Sequence, residues 1–417
     1  MLRRFLGKNN LDKRGFLVIT ILFLSVFGWY YMAVPMIKSV LGDLDITSTQ
    51  NLAIWATFYL SIIGASVIGT FLSNKVDRFK FLYAWTVSGA VISLLPALPI
   101  DASFLYVWSV SLLLGASFGL GIPSCLAYFA DCTLVENRGR VSGITFLIAN
   151  LSVPLLSVLF ISNIDLAILS VIFALLRGTG LIVHFLQPNK QPSSQTTRNV
   201  SFISILRDRN FLFYFAAWSM FPLLDSFERV IIDNFLVEWN RSLIYNMEIV
   251  EPLVACLAIL VAGLLCDWIG RKKIVLSGFV ALGFAYAVIG FNPYSVFSWY
   301  LYFLVDAIAW GIFLLVFVLI LWGDLAKTDN SEKYYMLGSI SYFLSSIIPS
   351  LLPEPFIDNI SLYASFSLAA LFLFVAVMPL VFAPETLPQK KMELRRLRSF
   401  AEEARKAREK YERKKEK

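Results

Sequence analysis

Long apolar stretches separated by short polar breaks dominate the chain. A helix needs roughly 18–25 apolar residues to cross a ~30 Å hydrocarbon layer. Twelve stretches of about that length occur, at 15–37, 51–72, 80–100, 104–130, 141–161, 166–186, 211–232, 249–266, 274–291, 296–322, 335–352 and 362–382. The polar break after the sixth contains Pro188, Pro192 and a Ser/Thr-rich patch. It divides the spans six and six. Three landmarks repeat across it at nearly one offset: Gly69 and Gly263 differ by 194, Asp131 and Asp324 by 193, Gly143 and Gly338 by 195. The pattern predicts an all-α polytopic membrane protein, with twelve transmembrane helices in two pseudo-symmetric six-helix bundles. The expected parts are a first bundle at 1–187, a cytoplasmic linker at 188–210, a second bundle at 211–383 and a charged tail at 384–417. Parallel repeats about a membrane-normal axis are a transporter architecture, with the solute site between the repeats.

Charge orients the bundle. Of 36 Lys and Arg, nineteen fall before the tail in segments that share one side with the N-terminus. Only Lys38 and Arg241 fall in the opposite loops. This asymmetry places both termini in the cytoplasm. The first apolar region is too long for a cleaved signal peptide and reads as a retained span. Within the linker, Phe202, Ile205 and Leu206 share one face beside Arg207 and Arg209, a pattern that suits a short helix lying on the membrane or a plain linker. The tail reads as a solvated helix with Glu402–Lys406 and Glu409–Arg413 pairs. Composition narrows the chemistry: 58% of residues are apolar, and there is one His. Cys125, Cys132, Cys256 and Cys266 lie in apolar runs without metal-ligand spacing. No Walker-type loop is present. The expectation is a protein that is not an enzyme and uses no cofactor. Its expected partners are the lipid bilayer, a small-molecule substrate and protons, with no nucleic acid.

The loop after the eighth span reads Gly263-Leu264-Leu265-Cys266-Asp267-Trp268-Ile269-Gly270-Arg271-Lys272-Lys273. It resembles the G-x-x-x-D-x-x-G-R-K loop of the major facilitator superfamily, with Trp268 where that family often has Arg. The matching first-half loop, Gly69 to Arg78, departs from the pattern: Ser73 stands in place of the acid and Val76 in place of the second glycine. Asp77-Arg78 reads as a substitute in a shifted register. In the fourth span, Gly115, Gly119, Tyr128, Asp131 and Arg138 follow the sugar-porter fingerprint, and Arg138-Gly139-Arg140 and Pro384-Glu385-Thr386 fit the same branch. The resemblance implies a cytoplasmic gate of Asp131, Arg138, Arg140, Gly263, Asp267, Gly270 and Arg271, with Asp324 as the repeat partner of Asp131. The competing reading is that these residues only anchor helix ends. The resemblance also implies that the first, fourth, seventh and tenth spans line a central cavity.

Ionisable residues inside spans are costly and therefore functional candidates. The seventh span carries Asp225, Glu228, Arg229 and Asp233, with Asp225, Arg229 and Asp233 on one helical face. Asp225 lies ~21 Å from the start of its span and Asp306 ~12–15 Å from the outer end of the tenth, so their depths are similar. Asp225, Glu228, Arg229 and Asp306 are the candidate proton or substrate groups, and Tyr30, Trp218 and Trp310 are candidate stacking surfaces. The competing reading makes them a salt-bridged stripe and ordinary packing. Glu248 and Glu251 would line an entrance or pair with Arg229 or Arg241. Arg177 reads as structural. The expected function is a secondary carrier of a sugar or organic acid in the cell membrane, working by alternating access with protons as coupling ion. The alternatives are an exporter of organic cations or drugs, a facilitated-diffusion carrier, and a receptor or assembly subunit that moves nothing.

Overall fold

The computed structural model describes residues 13–42, 44–98, 103–161, 164–186, 200–326, 330–352 and 360–388 of the chain. Most of the expected linker and nearly all of the tail lie outside these residues. Every element among the described residues is helical. The spans are α1 (Arg14–Leu41), α2 (Ser48–Ser73), α3 (Arg78–Ala97), α4 (Phe104–Cys132), α5 (Arg138–Ile161), α6 (Leu166–Phe185), α7 (Arg209–Trp239), α8 (Arg241–Trp268), α9 (Arg271–Phe291), α10 (Val296–Ala326), α11 (Ser331–Ser345) and α12 (Leu362–Phe382). Among the described residues, ten helices are long and apolar enough to cross a membrane. The other two segments are α7, which carries five ionisable residues in its outer half, and α11, which stops at Ser345 before a separate turn at Ile348–Leu351.

Polar residues set where the helices start. Thr47 and Gln50 form a reciprocal capping box that satisfies free backbone donors at the start of α2. Carboxylates cap three more: Asp77 for α3, Asp165 for α6 and Asp208 for α7. Two expected boundaries move. Spans seven and eight lengthen to Trp239 and back to Arg241, so they meet at Asn240 instead of leaving a long outer loop. Hydropathy alone ends span seven too early and starts span eight too late, because the polar outer turns that stay helical fall outside any apolar stretch.

Helices α1 to α6 pack into one group and α7 to α12 into another. The groups meet along α5 and α8 and along α2 and α11, with α4 also packed on α11 and α5 on α10. The helices between them are irregular at matching levels. A π-helical turn, Leu24–Gly28, interrupts α1, and its repeat mate α7 carries Pro222, which is 194 residues after Gly28. Helix α4 breaks at Leu120–Gly121, and α10 runs as a π-helix over Leu314–Ile320, starting 194 residues after Leu120. Such distortions free backbone groups and redirect side chains, and they concentrate at functional sites. Here they bring aromatic rings from both groups to the centre. The short helix Phe202–Leu206 packs back onto the bundle: Ile205 is buried and Phe202 meets Phe71 edge-on.

Candidate substrate cavity and charged seams

A cavity lies where the two groups face each other. Phe27, Tyr30 and Tyr31 of α1, Phe118 and Leu126 of α4, and Phe146 of α5 form one wall. Trp218 of α7, Phe317 and Trp322 of α10, and Tyr335, Tyr342 and Phe343 of α11 form the other. It leaves about 60 Å³ open to water-sized molecules, room for roughly four to six waters. Neighbouring rings hold the wall rigid. Trp218 stacks on Phe317 at 4.9 Å, and Tyr30 on Phe118 at 4.7 Å. The polar atoms of the wall are largely committed: the Trp218 indole donates to the Gly338 carbonyl, Ser339 to Met336, Tyr335 to Leu319, and Tyr30 and Tyr342 bond to each other.

Of the intramembrane candidates, Tyr30 and Trp218 line this cavity, while Trp310, Asp225, Glu228, Arg229 and Asp306 stand behind it. Trp310 links the two layers. Its indole donates to Asp225 Oδ1 at 3.1 Å, and its ring meets Tyr342 edge-on. Beyond Trp310 the second half gathers acids around one cation. Arg229 pairs with Asp233 at 3.3 Å and with Glu251 at 3.8 Å, which answers the open question of what Glu251 meets. Asp306 lies beside Glu251, and Glu228 Oε2, Glu251 Oε1 and Asp306 Oδ1 are buried without a hydrogen-bond partner among the described residues. The first half has the opposite feature. Arg177 is fully buried, with its guanidinium 3.9 Å from the centre of the Trp85 ring and 5.4 Å from that of Trp29. None of its nitrogens has a hydrogen-bond partner among the described residues.

The remaining candidates meet at the end where α1 begins and α12 stops. Along the α5–α8 seam the backbones touch through glycines: a Cβ built on Gly139 would lie 2.6 Å from the Gly263 carbonyl oxygen. That approach carries Asp267 to the start of α5, where its carboxylate accepts from the N–H groups of Gly139 and Arg140, each at 2.9 Å. A carboxylate at a helix N-terminus meets both free donors and the positive end of the helix dipole. Arg140 and Arg271 add ion pairs to Asp267 at 3.2 and 3.5 Å. Asp324, whose side chain is wholly buried, sits between Arg138 of the first half and Arg271 of the second. Thr386 donates to its other oxygen at 3.1 Å. Gly270 turns with φ +116°, and any side chain there would collide with the Glu385 carboxylate. Glu385 in turn accepts from the N–H groups of Arg271 and Lys272. The Pro384-Glu385-Thr386 motif, expected to open the tail, is therefore built into this cluster.

The α2–α11 seam is its repeat with charges exchanged. Ser73, 194 residues before Asp267, donates to Glu332, which stands 194 residues after Arg138. Arg78, 193 residues before Arg271, holds Asp131 at 2.6 Å and Glu332 at 3.4 Å. Asp131 thus pairs with Arg78 of its own half and not, as the resemblance implies, with a residue of the other half. The missing first-half acid has a counterpart on the facing helix. Asp77 caps α3 and takes no part in these ion pairs; Arg78 alone fills the shifted role. The glycine landmarks are equivalent in sequence but not in packing. Gly143 faces Gly263 across the seam, whereas Gly69 packs on the α4 break at Leu120 and Gly338 on Trp322. Glu332, Tyr342 and Phe343 escape sequence reading. The repeat offset applied to Arg138 would have found Glu332; nothing local marks the two rings.

The described helices form two repeated halves, held together at one end by buried ion pairs, with a cavity between them. Comparison with solved structures gives the fold its name. The chain superposes on the human organic anion transporter MFSD10 (TETRAN) with a TM-score of 0.64 and 14% identity, covering 88% of this chain and 99% of that one. It superposes on the major facilitator superfamily proton:xylose symporter XylE, bound to 6-bromo-6-deoxy-D-glucose, with a TM-score of 0.66 and 13% identity, covering 89% of this chain and 95% of that one. The chain has the major facilitator fold. No protein-family profile matches it, and no curated protein matches it by sequence.

Proposed function

We propose that the protein is a secondary carrier that moves a small solute across a membrane by alternating access, with both termini in the cytoplasm. One observation carries the reading: the two halves are tied at one end by ion pairs across two seams, one of them closed by glycines, while a cavity lies between the same halves midway along the helices. Buried pairs of this kind are poor sources of net stability, because desolvation offsets most of the attraction. They suit a contact that must be specific when closed and cheap to exchange for water when open. Its similarity to a proton:xylose symporter and to an organic anion transporter supports carriage as the activity. The acids held within the spans, Asp225, Glu228 and Asp306, support protons as the coupling ion, because ionisable side chains inside a membrane mark proton and substrate pathways.

Counterflow tests the reading. Purified protein in liposomes preloaded with one solute should accelerate exchange of the labelled solute for at least one compound in a panel of sugars, organic acids and organic cations. Asp306→Asn should leave exchange intact while removing the response to an imposed proton gradient. Absence of exchange for every compound, in protein that still melts cooperatively, would leave a receptor or assembly role.

A further inference from the structure

The cavity wall speaks to substrate chemistry more directly than the fold does. Among the described residues, neither a charged side chain nor an Asn or Gln lines it. A site for a sugar or a carboxylate presents several uncommitted donors and acceptors, because a buried polar group left without one costs binding. Here the indole of Trp218 and the hydroxyls of Ser339 and Tyr335 are already used on backbone carbonyls. What the wall offers instead is ring faces and edges from both halves. The ionisable residues behind the wall are mostly acids. Among the described residues, Asp225, Asp233, Glu251 and Asp306 gather around the single cation Arg229 with Glu228 beside Asp225, and Asp225 stands two helical turns beyond Trp218, joined to the Tyr342 ring through Trp310. The buried cation of the first half, Arg177, is kept from the cavity and stands between Trp85 and Trp29. Aromatic walls with carboxylates behind them attract a cation that is itself weakly hydrated. An ammonium ion with its charge spread under alkyl groups meets that description. The space, enough for roughly four to six waters, sets an upper size near a single ring bearing a small ammonium group.

We propose that the cavity formed by Tyr30, Phe118, Trp218, Phe317, Tyr342 and Phe343 binds a compact alkylated or aromatic ammonium ion, with Asp225 acting through Trp310 as its distant counter-charge. The proposal rests on the carrier reading in one respect, that this cavity is the solute's site.

Three probes of nearly equal shape test it on the full chain in lipid nanodiscs. Phenyltrimethylammonium carries the charge, tert-butylbenzene is its neutral isostere, and benzenesulfonate carries the opposite sign. The cation should raise the melting temperature in a concentration-dependent way and bind at least tenfold more tightly than either of the others. Trp218→Leu should weaken the cation at least tenfold. Asp225→Asn should weaken the cation but not tert-butylbenzene. Because Trp218 is a core residue, Phe343→Leu serves as the second variant, and the three-probe comparison needs no variant. Equal binding of cation and isostere, tighter binding of benzenesulfonate, or unchanged binding by both aromatic variants would overturn the proposal. Counterflow in liposomes separates it from the carrier reading. Exchange of a sugar without ammonium binding sinks the ammonium site alone. Ammonium binding without exchange of any solute sinks the carrier reading alone.

Discussion

Asp324 shows how much one side chain can decide. It is the shared acceptor of Arg138, Arg271 and Thr386, with no exposed side-chain surface. Removing its charge leaves two buried guanidinium groups short of a partner, and breaking a buried pair from one side costs about 3–5 kcal/mol. Asp324→Asn should therefore lower the melting temperature by several degrees; an unchanged melting curve would mean that water already screens the site. The Arg78–Asp131 pair is different, because both side chains are about one-third exposed. An exposed pair contributes about 0–1 kcal/mol, so Asp131→Asn should be close to neutral in the same assay. Arg177 is the reverse case. Its contacts with Trp85 and Trp29 contribute about 1–2 kcal/mol each at best, while an unpaired buried charge costs several. Arg177→Met should raise the melting temperature if the charge serves transport and not folding. A fall of several degrees would show instead that the cation holds the first half together.

At the scale of elements, each seam is a unit whose charges answer one another across the repeat. In the α5–α8 seam the acid ends α8 and the base starts α5; in the α2–α11 seam a hydroxyl ends α2 and the acid starts α11. The exchange predicts a rescue. Ser73→Asp alone sets two carboxylates against each other, and Glu332→Arg alone sets a guanidinium beside Arg78. Each single variant should be destabilised by about 3–5 kcal/mol, as for a buried charge left without its partner. The double variant S73D/E332R rebuilds the pattern of the other seam, with the introduced guanidinium next to Asp131, and should recover most of the loss. Coupling of this kind appears directly in a double-mutant cycle. Additive losses would show that the two seams only look alike. The glycines limit how far such exchanges go: Gly139, Gly143 and Gly263 allow the α5–α8 approach, and Gly69 and Gly338 do not provide it on the other side.

For the whole molecule, alternating access requires that the two ends exchange states. The ion pairs and the cavity sit on different levels of the same interface, so loosening one end should close the other. Spin labels at Lys75 and Lys272 report the charged end, and labels at Thr49 and Ser361 report the far end. In Asp324→Asn the first distance distribution should shift outward and the second inward. Both pairs moving outward would indicate general loosening and would count against rocking of two rigid halves.

Much of this was legible in one dimension. Hydropathy demands helices because hydrocarbon leaves no other partner for backbone polar groups, and the near-constant offset of Gly69, Asp131 and Gly143 to their mates exposed the duplication. The glycine–acid–glycine–arginine loop marked one seam because its residues are neighbours in sequence. Three-dimensional packing decided the rest. Asp324 meets Arg138 and Arg271 at the starts of two different helices, Glu332 answers a serine 259 residues away, and the cavity wall draws its rings from six helices. Hydrophobic periodicity tells which residues leave water. It cannot tell which aromatic ring packs in a core and which faces an opening, because both are apolar, and only the crossing of the helices separates them.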